Sequence, residues 1–396
     1  MFNIAILGMG VVGGGVYEVL KNNASAISHK LGGNGEPLIN VAHVLDLRSF
    51  EGHDLEKVVT KDFDKIVNDP SVSVVVETMG GAQPAFDFSL KALESGKSVV
   101  TSNKEVVAKY GDVLLEAAKR NNVCYLYEAS VGGGIPVIAP LINCLTANKV
   151  TRIAGILNGT TNYILTKMLY EGAAFEDVLK DAQAKGYAEK DPTADVEGFD
   201  ALRKICILAG IAFGKHIPTE SAALRRGITG IDSADIAAAA KAGYAVKLLG
   251  VAEQVGDKAS IMVAPHLVKQ GTQIASTIDV FNAVSVTGNM VDELVFYGCG
   301  AGSLPTASAV VSDIIQAIRC PVAETPRKCC EEGFVLSLDE TPVKLYVRTA
   351  SPADESLGTV IALEIGEKAI ITEKAPYGEL KKKLASVEII AEHFVL

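Results

Sequence analysis

Residues 2–20, FNIAILGMGVVGGGVYEVL, decide the fold. Residues 2–7 form a short apolar run that reads as a strand, and residues 14–20 read as a helix. Between them stands Gly8-Met9-Gly10-Val11-Val12-Gly13, a G-x-G-x-x-G spacing between a strand and a helix. Gly8 permits a tight turn, Gly10 lets backbone approach a pyrophosphate, and Gly13 lets helix and strand pack closely. A pyrophosphate would rest on the helix N-terminus, whose unbonded N–H groups and dipole favour anions. The plainer alternative is a glycine-rich turn in some other α/β fold.

Outward from this unit the pattern continues. Residues 22–37 are polar and glycine-rich and read as an irregular insertion. Residues 40–46, NVAHVLD, read as the second strand, ending in Asp46. An acid there accepts hydrogen bonds from the adenosine ribose and repels a 2′-phosphate, so Asp46 favours NAD. Arg48, two residues on, leaves NADP open. Residues 72–77, VSVVVE, form the continuous β-branched run of a parallel sheet buried on both faces. A helix over 84–95 and a strand over 97–101 follow. Lys104 then lies just beyond a strand's carboxyl end, the side on which doubly wound sheets bind ligands; the bland reading is a surface lysine at a helix start. A strand over 124–128 closes the alternation near residue 135.

The rest of the chain reads differently. A strand over 150–157 leads to the turn Asn158-Gly159-Thr160 and a helix over 163–170, whose N-terminus could hold a carboxylate. A second helix spans 175–184. Residues 185–204, KGYAEKDPTADVEGFDALRK, are dense in carboxylates, with Glu189, Asp191, Asp195, Glu197 and Asp200. Gly186, Pro192 and Gly198 predict a loop over 186–197. From Phe199 a helix begins, on which Asp200 and Lys204 share a face four residues apart. Such a loop could bind an ammonium group beside an acid–base centre, or could simply be a solvated acidic turn. An alanine-rich helix is expected over 234–250, strands over 251–261 and 263–267, and an antiparallel alternation over 283–297. A helix over 306–319 follows the glycine-rich 298–302. Beyond a linker at 325–341, the last 55 or so residues read as a strand–helix–strand–helix–strand module.

Composition narrows the function classes. The chain has 396 residues, 48% of them hydrophobic, with net charge −10. That supports two or three domains and argues against nucleic acid or an anionic membrane as partner. The start is a strand rather than a leader peptide, and no run is long and apolar enough to span a bilayer. Seven scattered cysteines without metal-ligand spacing suggest a reducing, cytoplasmic setting.

With these residues in view, the sequence resembles the homoserine dehydrogenase family. The signature is AQAKGYAEKDPTADVEGFDALRK at 182–204, accompanied by GMGVVG, TSNKEVVA at 101–108, EASVGGGIP at 128–136, ILNGTTNYIL at 156–165 and GCGAGSLPTASAVVSDI at 298–314. The resemblance covers residues 1 to about 320. It implies an α/β fold: an N-terminal Rossmann dinucleotide-binding domain (1–135), an α+β catalytic and dimerisation domain with a mixed sheet (136–320, of which 298–320 returns to the cofactor domain) and a small α+β ACT-like module (341–396). It implies reversible oxidation of L-homoserine to L-aspartate 4-semialdehyde with NAD or NADP. By position, Lys104 and Lys204 match the lysines flanking the reacting oxygen, and Asp200 the acid beside the catalytic lysine. Glu189 and Asp195 match the carboxylates that hold the substrate ammonium, and Gly159 and Thr160 the turn near its carboxylate. Gly302 matches a late glycine that returns to the cofactor. Glu128, with the carbonyls of Val131, Gly133 and Ile135, matches a site for a monovalent metal such as sodium. A homodimer or a dimer of dimers is implied as well. The module resembles an ACT domain only loosely, because Ser351-Pro352-Ala353-Asp354 disturbs the usual Asp-x-Pro-Gly order, and threonine feedback is not implied. Two rivals remain at this point: another NAD(P)-linked oxidoreductase of amino-acid metabolism, or a non-catalytic nucleotide sensor.

Overall fold

The computed structural model describes residues 1–319, 324–350, 355–363 and 367–396. The chain divides into two compact units. One comprises Met1–Thr146, Gly214–Ile217 and Cys299–Cys329; the other comprises Ala147–Phe213, Pro218–Gly298 and Cys330–Leu396.

The first unit begins with β1 (Phe2–Leu7), α1 (Val11–Asn22), α2 (Ala24–Lys30), β2 (Ile39–Leu45), β3 (Val59–Thr60), α3 (Phe63–Val67), β4 (Val72–Glu77), α4 (Ala85–Glu94), β5 (Ser98–Thr101), α5 (Lys104–Arg120) and β6 (Tyr125–Leu126). Its sheet runs β3-β2-β1-β4-β5-β6, with every neighbouring pair parallel. This is the doubly wound order, with the strand order reversing between β1 and β4. The central strands are apolar on both faces because helices cover both, so Ile4, Ile6, Val74, Val76 and Val100 enter one core. Two expectations need correction. The insertion at 22–37 is not wholly irregular, since α2 lies within it. The expected strand at 124–128 shortens to β6, because the chain turns into a 3₁₀ helix at Glu128–Ser130.

The second unit continues with β7 (Val150–Ile156), α6 (Gly159–Glu171), α7 (Phe175–Ala184), α8 (Thr193–Val196), α9 (Phe199–Phe213), β8 (Leu224–Arg225), α10 (Ser233–Lys241), β9 (Tyr244–Val255), β10 (Lys258–Lys269), α11 (Gln273–Ser276), β11 (Phe281–Gly288) and β12 (Asp292–Cys299). The chain then returns to the first unit as α12 (Ser303–Arg319), where Val310 and Ile314 complete the core. It ends in the second unit with β13 (Pro342–Thr349), β14 (Gly358–Ala362), β15 (Lys368–Thr372), β16 (Ala375–Pro376), α13 (Tyr377–Lys383) and β17 (Ile389–Val395).

The second sheet runs β12-β11-β7-β9-β10-β17-β13-β15-β14 and is mixed, as expected. Its C-terminal strands do not form a separate sheet. β17 pairs parallel with β10 through His266–Phe394 and Leu267–Val395, and Met262 and Ala264 share a core with Leu345, Val347 and Phe394. Three readings are overturned here. The alanine-rich helix stops at Lys241; Gly243, at φ +83°, turns the chain into β9, which takes the residues expected to extend the helix. A buried apolar strand such as KLLGVA cannot be told from a buried helix by periodicity. The loop at 186–197 contains the short helix α8. The helix expected near 355–365 is instead a 3₁₀ turn at Glu355–Leu357 followed by β14, whose Val360 and Ile361 suit a strand. The Ser351–Asp354 stretch lies outside the described residues. Among the described residues, no helix is long and apolar enough to cross a membrane.

Candidate active site

The first unit carries a dinucleotide cradle. Gly8 sits at φ +87°, and a Cβ on Gly13 would lie 2.1 Å from the Gly8 carbonyl oxygen, so the turn closes only with glycines. Gly10 caps α1, which starts at Val11 and has no acid in its first turn. Its N-terminal N–H groups therefore present positive potential that no acid within the helix's own first turn opposes. Thr78 donates its hydroxyl to the Gly8 oxygen at 2.7 Å, bracing the turn from β4.

Asp46 lies where the sequence expects it, beside this turn. Its Oδ2 accepts from the Met9 N–H at 2.8 Å and from Arg48 Nη2 at 2.8 Å, while Oδ1 accepts from Arg48 Nε at 3.0 Å. The Arg48 guanidinium, first among several causes, holds the Asp46 carboxyl well below the usual carboxylate range. Arg48 also donates to the Met9 oxygen at 2.7 Å. A groove of about 530 Å³ runs past Gly8, Asp46, Arg48, Lys61, Met79 and Pro84. Gly302, at φ +122°, ends a loop that leans on the same cradle: Ser303 donates to the Val11 oxygen at 2.8 Å. Val12 packs into the core behind it. These residues fit a dinucleotide: a Cβ on Gly10 would meet nothing within 4 Å, so the turn is open where a pyrophosphate would approach the start of α1.

Lys104 is the first residue of α5, just past the end of β5. Asn103 caps that helix through the Glu105 and Val106 N–H groups, and its amide donates to the Gly81 oxygen at 2.7 Å. Beneath this turn Glu77 accepts from Thr101 Oγ1 at 2.6 Å and from the Met79 N–H at 2.7 Å. Burial pushes the Glu77 carboxyl up to about 7. The sequence reading singles out neither Asn103 nor Glu77: Glu77 reads only as the end of an apolar strand, and Asn103 only as the residue before Lys104.

The Glu128 carboxylate accepts from the N–H groups of Val137 at 2.7 Å, Ile138 at 2.8 Å and Ala139 at 2.6 Å. Glu128, with the carbonyls of Val131, Gly133 and Ile135, could supply the oxygen donors for a monovalent cation here. Among the described residues, no group of three His, Cys, Asp or Glu side chains could hold a metal.

The second unit carries a buried lysine–carboxylate cluster. Lys204 is 8% exposed and Asp200 3% exposed. The Lys204 ammonium donates to Asp200 Oδ2 at 2.8 Å, one helical turn away on α9, and to the Leu157 oxygen at 2.7 Å. Asn158 Nδ2 donates to Asp200 Oδ2 at 2.9 Å and to Asp195 Oδ1 at 2.7 Å. Its Oδ1 meanwhile caps α6 through the Thr161 N–H at 2.9 Å. One asparagine thus joins Asp195, Asp200 and the start of α6. Sequence reading took it only as half of an Asn-Gly turn, since turn chemistry hides a bridging side chain. Gly159 is required next: a Cβ there would stand 2.7 Å from the Val280 oxygen. Thr160 donates to the Tyr187 oxygen at 2.6 Å, tying the turn to the acidic loop. Glu189 is exposed in that loop, and its carbonyl accepts from Gln183 Nε2 at 3.1 Å. Asp200, Asp195, Lys204, Gly159 and Thr160 are thus gathered around one turn, whereas Lys104 belongs to the other unit.

Comparison with known proteins gives a consistent result. Residues 8–128 match the family model described as homoserine dehydrogenase, NAD binding domain, and residues 136–315 the model described as homoserine dehydrogenase. The chain is 40% identical over 405 residues to a homoserine dehydrogenase of Neisseria gonorrhoeae, covering 99% of this chain and 92% of that one. It is 41% identical over 317 residues to the Bacillus subtilis enzyme of that name, covering 80% and 72%. Among solved structures, a homoserine dehydrogenase from Thiobacillus denitrificans superposes with a TM-score of 0.85 at 34% identity, covering 100% and 98%. A hyperthermophilic archaeal homoserine dehydrogenase in complex with NADPH has a TM-score of 0.69 at 27% identity, covering 82% and 99%.

Proposed function

We propose that this chain, which belongs to the homoserine dehydrogenase family, uses Lys204 and Lys104 to move the proton of the reacting hydroxyl. The reaction is the reversible oxidation of L-homoserine to L-aspartate 4-semialdehyde by a nicotinamide dinucleotide, on the route to threonine, methionine and isoleucine. The observation that carries the assignment is the buried Lys204–Asp200–Asn158 cluster, a charged group kept out of solvent beside a turn suited to an amino-acid headgroup.

When bound, the dinucleotide accepts the hydride from C4 of homoserine. Gly8, Gly10, Gly13 and the N–H groups of Val11 and Val12 would hold its pyrophosphate, with Gly302 closing over it. The hydroxyl loses its proton as the hydride leaves, so a base must stand at that oxygen. An amine with an ordinary pKa of about 10.4 is a poor base near neutrality; a second amine nearby favours the neutral form of the first. In the reverse direction the protonated lysine polarises the aldehyde oxygen and returns the proton. Asp200 orients the Lys204 ammonium. Glu189 and Asp195 hold the substrate ammonium, and the Gly159–Thr160 turn receives its carboxylate. Glu189→Ala should therefore raise KM for homoserine by at least ~10-fold, the scale of one lost charge-assisted pair, with kcat within ~3-fold of wild type. An effect on kcat alone would remove Glu189 from ammonium binding.

NAD is the favoured cofactor in this reading, because Asp46 stays ionised in the groove and repels a 2′-phosphate. Arg48 and Lys61 line the same groove and give NADP a foothold. Arg48→Ala should raise KM for NADP at least ~10-fold while moving KM for NAD by less than ~3-fold. Equal losses with both cofactors would leave Arg48 only the task of bracing Asp46. A monovalent cation on the carbonyls near Glu128 is part of the same reading, and a Tm indifferent to sodium would count against it. The functional domains would follow the sequence boundaries at 135 and 320. A cytoplasmic setting is proposed from the scattered cysteines. Assembly as a homodimer or a dimer of dimers is supported by the sheet-edge strand β12, which exposes Tyr297; a single-chain mass by light scattering would remove it.

A further inference from the structure

The start of β11 holds a side chain that the proton chemistry does not use. Asn282 is 1% exposed, and among the described residues neither its Oδ1 nor its Nδ2 has a hydrogen-bond partner. A buried carboxamide left unpaired is rare, because folding strips it of water without replacing the lost bonds. Its position narrows what it could meet. Oδ1 stands 3.6 Å from where a Cβ on Gly159 would be, beside the turn assigned to the substrate carboxylate. The next residue, Ala283, pairs with Ile156 at the end of β7, and Leu157 just beyond gives its carbonyl to Lys204.

The backbone that presents Asn282 is clamped. Asn162 Nδ2 donates to the Phe281 oxygen at 3.1 Å and the Thr277 oxygen at 3.3 Å. The buried Lys247 donates to Asn162 Oδ1 at 3.0 Å and to the Thr277 oxygen at 2.5 Å. Thr166 Oγ1 accepts from the Asp279 N–H at 3.1 Å. Loop 277–281 is thus fixed against α6 on the Gly159 side, and Asn282 leaves it in a set position.

We infer that Asn282 is a substrate-contacting residue that reads the α-amino-acid headgroup of homoserine, Nδ2 donating to the carboxylate and Oδ1 accepting from the ammonium. A carboxamide offers both roles at once, so it distinguishes a zwitterion from a simple hydroxy acid. The inference rests on the Gly159–Thr160 turn holding that headgroup.

The test is steady-state kinetics and thermal unfolding of Asn282→Leu, Asn282→Asp and Gly159→Ala in the full chain. Asn282→Leu should raise KM for homoserine about tenfold or more, about 1.4 kcal/mol, leaving KM for the dinucleotide unchanged. Its Tm should be unchanged or higher, because an unpaired amide has been replaced by an apolar group of similar shape. The preference for homoserine over 4-hydroxybutyrate should narrow by a similar factor. Asn282→Asp, which keeps the shape and sets a carboxylate against the substrate's own, should raise KM further and serves if the leucine variant does not fold. A lowered Tm with unchanged KM in the Asn282 variants would overturn the inference by making Asn282 a structural group. If Gly159→Ala raises KM while the Asn282 variants do not, the inference falls and the turn assignment stands. If none of the three moves KM, the turn assignment falls as well.

Discussion

Replacing Lys204 with alanine should lower kcat for homoserine oxidation by at least ~100-fold, the low end of what a positioned general acid–base group contributes. The ammonium is almost wholly enclosed, and its direction is set by Asp200 at 2.8 Å and the Leu157 oxygen at 2.7 Å. A buried ion pair is weak evidence of a stabilising role, since apolar replacements of similar volume often hold a fold as well. In the proposed mechanism it keeps an amine at a fixed, largely enclosed point, where its effect on a developing alkoxide is largest. The substitution strands the Asp200 carboxylate in the interior, which costs about 3–5 kcal/mol when a buried pair is broken. Activity must therefore be normalised to the folded fraction at a temperature below the lowered Tm. KM for homoserine should change little, because the headgroup contacts assigned to Asp195 and the Gly159 turn remain. An unchanged kcat would take Lys204 out of the chemistry.

Lys104→Ala should give a comparable loss, ~100-fold in kcat/KM. Lys104 opens α5 just past the end of β5, and the preceding Asn103 supplies the helix cap. The readout is turnover per folded molecule, so activity is normalised to the folded fraction as for Lys204. Intact turnover would take Lys104 out of the chemistry.

How much of this was legible in the residues differs by region. The dinucleotide domain was, because its glycines have steric reasons that hold in any context. Gly13 has no room for a Cβ, and Gly8 needs positive φ. The Asp200–Lys204 pair was also readable, since a helix repeat puts positions four apart on one face. What escaped were features decided by partners distant in sequence. The first part of β9, up to residue 250, reads as a continuation of an alanine-rich helix, because burial on both faces erases the alternation that marks a strand. The C-terminal strands read as a separate module, and it takes the pairing of β17 with β10, through His266–Phe394 and Leu267–Val395, to join them to the larger sheet. Asn158 looked like a turn residue until Asp195 and Asp200 were found on its amide. Asn282 had no signature at all: an asparagine in a strand is unremarkable until its surroundings prove to offer it nothing.

The central claim is that two amines, a hundred residues apart in the chain, act on the same oxygen. The direct measurement is a double-mutant cycle on kcat/KM with Lys104→Ala, Lys204→Ala and the combined variant. Groups that work as a unit are strongly non-additive, so the combined variant should fall no more than ~10-fold below the weaker single variant. Losses that multiply in full, reaching ~10,000-fold, would mean that the two lysines serve separate steps, and the shared-oxygen mechanism would be wrong.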